Sequence, residues 1–162
     1  PPPPPPPPHF SSRRRHTRSA SSSRGLGDVY KRQQAAFEPP LVVVGVKKGS
    51  LAHQIIKETK AFALNMLDKN QQALAFTFFK ALERDGQSIG GEAFRPGSTG
   101  VPVFENTPAY VECTLVDTVE RGDHSIFVGE VVDAGINRSL DGRPDETILW
   151  LKDLGDNIFY GG

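Results

Sequence analysis

The sequence predicts a mainly β domain, a barrel with helices at its periphery. Three observations predict it. Apolar residues come in β-branched runs or in period-two alternation across several segments between Leu41 and Ile136. Only two segments carry helical spacing, and no regular strand–helix–strand alternation links them. The chain of 162 residues is long enough for one domain with one sizeable core.

The formal net charge of zero conceals two different polymers. Residues 1–33 carry seven Lys/Arg against one acid, a net of +6, whereas residues 34–162 carry twelve against eighteen, a net of −6. The first segment opens on eight prolines, a stiff polyproline II run, and continues through Ser and Arg without apolar periodicity. It reads as a disordered, non-native leader: "SSRRRHTRS" and "VYKRQ" behind a homopolymer resemble translated adapter read-through. A natural basic arm that binds nucleic acid is the alternative. The expected division is therefore 1–33 leader and 34–162 domain.

The domain enters a strand at once. Pro39 and Pro40 restrict the backbone to extended or turn forms before Leu41–Val46, an unbroken run expected to be covered on both faces. A partner for this strand should come from upstream, where only the leader stands, which leaves an expected open edge. Ser50 is the predicted N-cap of a helix with Leu51, Ile55, Ile56 and Thr59 on one face. "AFALNML" (61–67) is a short strand. "KNQQALAFTFFKALER" is helical, with Leu74, Phe78 and Leu82 at four-residue spacing beside Ala81. Residues 87–108 are loop with short strands, given their Gly and Pro. "AYVECTLVDTVE" alternates, with Ala109, Val111, Cys113, Leu115 and Val119 on one face. "RGD" turns the chain and "HSIFVGEVVDAGI" returns, so the two read as a hairpin. "ETILWL" reads as a further strand and "NIFYGG" as an extended end.

Several function classes drop out. A single cysteine, Cys113, excludes a disulfide framework within the chain. No apolar run reaches a membrane span and no signal-peptide pattern is present, so a soluble, cytoplasmic protein is expected. Arg121-Gly122-Asp123 spells an adhesion tripeptide, but adhesion ligands lie outside the cell. His53 and His124, without a second Cys, make no metal site. His53 reads as a surface residue on the first helix.

The segments "QAAFEPPLVVVGVKKGS", "FALNML", "FRPGSTGVPVFENTPAYVECTLVDTVERGDHSIFVGEVVDAG" and the terminal "YGG" resemble the flavin reductase-like family, the FMN-binding split barrels. The resemblance runs from Gln34 to Gly162. It implies a split β-barrel, a homodimer, and FMN near the subunit interface that takes a hydride from NADH or NADPH. It also implies a flavin-dependent monooxygenase as a possible partner. The family has a strand pair ahead of the QAAFEPP stretch, with an Asn-Gly turn and further flavin contacts. The barrel is thus expected to be incomplete at its N-terminus, a fragment joined to unrelated sequence.

The resemblance also implies a site. Gln34, Ala35 and Ala36 match the stretch that lines the flavin, although the family usually has a hydroxyl residue where Ala36 stands. Lys48 and Ser50 match the phosphate-side loop, and Ser50 sits at a helix N-terminus, where backbone N–H groups favour anions. The family often has Thr at Ala52, so one donor is absent. His124, the candidate catalytic residue, matches the histidine of a Gly-Asp-His turn beside the approaching nicotinamide. Histidine there can bond a carboxamide or respond to charge on the reduced ring, and Asp123 can hold its tautomer. Tyr160 is a candidate to reach the flavin pocket of a partner subunit. Asn65 reads as structural; Trp150 and Phe159 read as core or dimer contacts.

An FMN-dependent reductase is the leading expectation. The alternative is an FMN-binding electron-transfer protein without fast NAD(P)H turnover. A nucleic-acid-binding role rests only on residues 13–32. No dinucleotide fingerprint is present to decide between NADH and NADPH.

Overall fold

The computed structural model describes residues 32–79, 82–139, 141–156 and 158, the side chains of Arg32 and Gln33 excepted. Among these residues the fold is mainly β. One sheet has five strands, in the order β1 (Arg32–Phe37), β2 (Pro40–Lys47), β9 (His124–Ile136), β8 (Ala109–Val119) and β3 (Ala61–Met66), and a second has four, in the order β4 (Arg84–Asp85), β5 (Ser88–Ile89), β6 (Glu92–Pro96) and β7 (Pro102–Phe104). The helices are α1 (Leu51–Thr59), α2 (Gln72–Phe78) and the short α3 (Pro144–Thr147).

β1 (Arg32–Phe37) and β2 (Pro40–Lys47) form a hairpin that turns at Glu38 and Pro39. The expected open edge on β2 is therefore filled: β1 pairs with one side of it and β9 with the other. The physical reason is local, because the turn-forming Pro pair folds the residues just upstream back onto the run. The pairing skips from Gln34↔Val42 to Ala36↔Leu41, so Ala35 is the extra residue of a bulge. β2 does not bury both faces alike: Val42 and Val44 are buried while Leu41 and Val43 are half-buried.

α1 (Leu51–Thr59) starts at Ser50 as predicted, with the Ser50 hydroxyl accepting from the His53 N–H. Its buried face differs from the predicted one. Leu51 and Ile55 are exposed, and the stripe turned inward is His53 and Ile56, three residues apart. β3 (Ala61–Met66) pairs with β8. α2 (Gln72–Phe78) buries Leu74 and Ala75 but stops at Phe78, so Leu82 lies beyond the helix and not on its face; Ala81 lies outside the described residues.

The stretch 87–108 holds short strands as expected: β4 (Arg84–Asp85) precedes it, followed by β5 (Ser88–Ile89), β6 (Glu92–Pro96) and β7 (Pro102–Phe104). β8 (Ala109–Val119) and β9 (His124–Ile136) form the predicted hairpin. Bulges at Glu112/Cys113 and Leu115/Asp117 break the strict alternation, which is why Tyr110, Glu112 and Cys113 are all buried. "ETILWL" is not a strand. Pro144–Thr147 is the helical turn α3, and Leu151–Leu154 is a 3-10 turn. Pro at the first helical position with Asp145 and Glu146 behind it favours a helix start.

The core gathers Val42, Val44, Ile56, Phe62, Cys113 and Phe127, from both sides of β9 and from α1 and β3. Gly129 lets β9 approach Phe62: a Cβ there would lie 2.4 Å from the Phe62 ring.

Candidate functional site

β2, β3, α1, α2 and the 149–154 segment enclose an open, largely apolar cavity of about 640 Å³. Val44, Val46 and Phe62 supply apolar wall, and Gln34, Lys47 and His124 supply polar rim. The polar residues get there through strand register. Antiparallel pairing sets Lys47 opposite His124 at one end of β2, and Gln34 opposite Val42 towards the other. Val42 and Lys47 are five residue steps apart, about 17 Å at the usual strand rise.

Two turns meet at the His124 end. The Lys48 N–H donates to the Asp123 carbonyl at 2.9 Å, joining the β2–α1 turn to the β8–β9 turn. Asp123 Oδ1 lies 3.1 Å from His124 Nδ1. The hydrogen bond from His124, then its charge, holds the exposed Asp123 carboxyl below the usual carboxylate range. An ionised carboxylate only accepts, so Nδ1 carries the proton. In the neutral ring Nε2 is then an acceptor; in the charged ring it is a second donor.

Ser50 is half-buried and its hydroxyl is committed to the fold: it donates to the Lys47 carbonyl at 2.8 Å and accepts from the His53 N–H at 3.2 Å. Lys48 is exposed, and no acidic residue stands in the first turn of α1. This end therefore combines two lysines with a helix N-terminus, a setting that suits an anion. Ala35 is exposed and Ala36 half-buried on β1, and neither lines the cavity. Of the predicted residues, Gln34 and His124 line one cavity; Lys48 and Ser50 do not line it, although their neighbours Lys47 and Ala52 do; Tyr160 and Phe159 lie outside the described residues.

Two more predicted roles can be placed. Asn65 is structural: its Nδ2 donates to the Pro102 carbonyl and its Oδ1 accepts from the Phe104 N–H, tying β3 to β7. Trp150 is half-buried in the cavity wall and donates from Nε1 to the Asp145 carbonyl at 3.0 Å. Burial pushes the Cys113 thiol up to about 11, which makes it an inert core group. Among the described residues no group of three or more His, Cys, Asp or Glu could hold a metal.

His53 corrects a prediction. It is not a surface residue: its side chain is 12 % exposed, its ring lies 5.4 Å from that of Phe127, and its Nε2 is 2.8 Å from Ser125 Oγ. Ser125 is fully buried and donates to Glu120 at 3.2 Å; Lys57 donates to the same oxygen at 3.0 Å. This is no hydrolytic triad, because the carboxylate sits on the serine and the serine has no access to solvent. A second group missed by sequence reasoning is Glu112, fully buried in β8, which accepts from the Ser98 and Thr99 N–H groups. The turn-forming Gly97 and Gly100 were the sequence signal that a backbone cradle stood there.

The family profile described as "Flavin reductase like domain" matches residues 32–153. A relative from Agrobacterium fabrum, "FMN reductase (NADH) SmoA", is 33% identical over 109 residues, 67% of this chain and 59% of that protein. The Mycobacterium tuberculosis "Flavin-dependent monooxygenase, reductase subunit HsaB" is 30% identical over 96 residues, 59% of this chain and 50% of that protein. The solved structure of the Streptomyces globisporus C-1027 NADH:FAD oxidoreductase SgcE6 is 28% identical with a TM-score of 0.57, covering 65% of this chain and 64% of that one. The chain spans from a third to about three fifths of the curated relatives it matches.

Proposed function

Given that this chain belongs to the flavin reductase-like family of split barrels, we propose that it is an FMN-dependent reductase that transfers a hydride from NADH or NADPH to the flavin. The observation that carries this reading is the meeting of the Lys48 and Asp123–His124 turns at the rim of an apolar cavity. FMN needs an anion site, an apolar slot and polar groups near the ring. The lysine-flanked start of α1, the Val44–Val46 wall and Gln34 fit those needs. Relatives named for FMN, for FAD and for NADH support a flavin–nicotinamide pair. FMN is favoured over FAD because one helix N-terminus with two lysines matches a single terminal phosphate.

Bound FMN supplies the hydride acceptor; the chain's own residues bind and orient. Lys48 neutralises phosphate charge, and the capped start of α1 offers backbone N–H groups. Gln34, which lines the cavity, would lie along the ring, whereas Ala35 and Ala36 stand outside the lining. His124 meets the nicotinamide carboxamide. With its proton held on Nδ1 by Asp123, the neutral ring accepts from the carboxamide NH₂, and the charged ring donates to the carboxamide oxygen. A homodimer belongs to the same proposal. A flavin-dependent monooxygenase is the proposed partner, supported by the relative named as such an enzyme's reductase subunit. A cytoplasmic setting belongs to the same proposal; among the described residues no helix is long and apolar enough to cross a membrane.

The test is a titration of apo-protein with FMN, FAD and riboflavin, followed by NADH or NADPH without oxygen. A flavin that binds and bleaches supports the reductase. A flavin that binds and does not bleach supports the electron-transfer alternative.

A further inference from the structure

His53 carries a role that the proposed site does not use. Its backbone N–H is fixed by Ser50 Oγ at the start of α1, and its ring reaches Ser125 on β9, the residue after His124. One residue thus links the proposed anion end of the site to its nicotinamide end.

The direction of the hydrogen bonds can be assigned. The hydrogen bond from Lys57, then that from Ser125, holds the Glu120 carboxyl below its usual range, so it is an acceptor only. Ser125 has one hydroxyl proton, and Glu120 takes it at 3.2 Å. Ser125 Oγ must then accept from His53 Nε2–H at 2.8 Å. The chain runs from His53 to Ser125 to Glu120, with Lys57 donating from the far side. A charged His53 keeps the same donor and gains Glu120 Oε1 at 3.8 Å as a counter-ion. Glu120, Lys57 and the more distant Lys48 are the charged groups bearing on this chain.

Successive residues of a strand point to opposite faces. Anchoring the buried Ser125 therefore sets the backbone from which the half-buried His124 reaches the cavity. The anchor matters here because His124 is the first residue of β9, where the ladder ends and the turn begins.

We propose that His53 is a positioning residue, acting through Ser125 to hold His124 in register with the nicotinamide; this deepens the reductase reading and rests on it. A displacement of about 1 Å at a reacting centre can cost up to about 100-fold in rate. A single anchoring bond at one remove should cost about tenfold.

Two variants separate the hydrogen bond from the packing. His53→Phe keeps a ring against Phe127 and removes the donor. His53→Gln removes the ring and keeps a donor near the Nε2 position. In anaerobic single-turnover bleaching by NADH, H53F should be about tenfold slower than the parent at saturating NADH, with FMN affinity changed less than about twofold. H53Q should recover most of the rate. An H53F as fast as the parent, or an H53Q as slow as H53F, overturns the proposal. If the parent itself does not bleach, the reductase reading fails, and the positioning claim is judged on flavin-free protein. There the His124 ring signals in proton–nitrogen NMR should move in H53F and in Ser125→Ala but not in H53Q. An unmoved His124 in H53F and S125A overturns it.

Discussion

The N–H of Lys48 donates to the carbonyl of Asp123 across 2.9 Å, although the two residues stand in different turns, 75 positions apart. The bond fixes the distance between the start of α1 and the turn that carries His124. A ligand that bridges the two meets a preformed frame, and the predictions test that frame part by part.

His124→Ala should slow hydride transfer by about 5- to 150-fold, the range for a lost hydrogen bond whose partner stays buried. FMN affinity should hardly change. His124→Asn, which keeps a side-chain donor, should recover part of the rate. Stopped-flow bleaching by NADH measures both. A parent-like His124→Ala would leave the histidine as the residue after a turn.

Lys48→Ala should weaken FMN binding and leave riboflavin binding unchanged, because riboflavin lacks the phosphate. The loss should shrink as salt rises, since Lys48 is exposed and its charge is screened. Ser50→Ala should instead lower stability by about 0.5–2 kcal/mol through loss of the cap. Calorimetric titration separates the two effects.

Glu112→Gln should destabilise the fold by about 1.5–3 kcal/mol at neutral pH, because the Ser98 and Thr99 N–H groups lose a charged acceptor. Burial opposes the charge, but the hydrogen bonds from Thr99 and Ser98 outweigh it and hold the carboxyl below its usual range. For a carboxyl lowered by folding, the stabilisation is present above the unfolded pKa, about 4.3, and is lost as pH falls through the folded one. The gap in melting temperature between parent and variant should therefore be full at pH 7 and narrow below about pH 4. A gap that widens in acid would mean that the fold does not favour the ionised Glu112 carboxyl.

Gly129→Ala should cost about 1–3 kcal/mol through overpacking, since its Cβ would fall 2.4 Å from the Phe62 ring. Phe62→Leu in the same chain should return part of the loss. Denaturant midpoints of the single and double variants give the coupling.

Much of the fold was legible because its signals are local. The Ser50 cap, the β8–β9 hairpin and strands β2 and β3 follow from capping chemistry, turn residues and apolar pattern. The α1 face was misread because Leu51 and Ile55 are apolar yet exposed, and what packs against a helix is decided by the sheet. "ETILWL" was misread because its apolar run outweighed the helix-start signal of Pro144 and the acids after it. In the site, the Gly-Asp-His turn was legible as a motif. The pairing of Lys47 with His124 was not, because register across distant strands is set by tertiary contacts. His53 was the hardest case. Its meaning depends on Ser125, 72 residues away, and nothing in the helix itself announces that contact.

The central claim is most directly tested by adding NADH, without oxygen, to the chain saturated with FMN. The account predicts that the yellow flavin band is lost, and lost more slowly in His124→Ala. A band that persists in excess NADH while FMN stays bound would contradict the reductase.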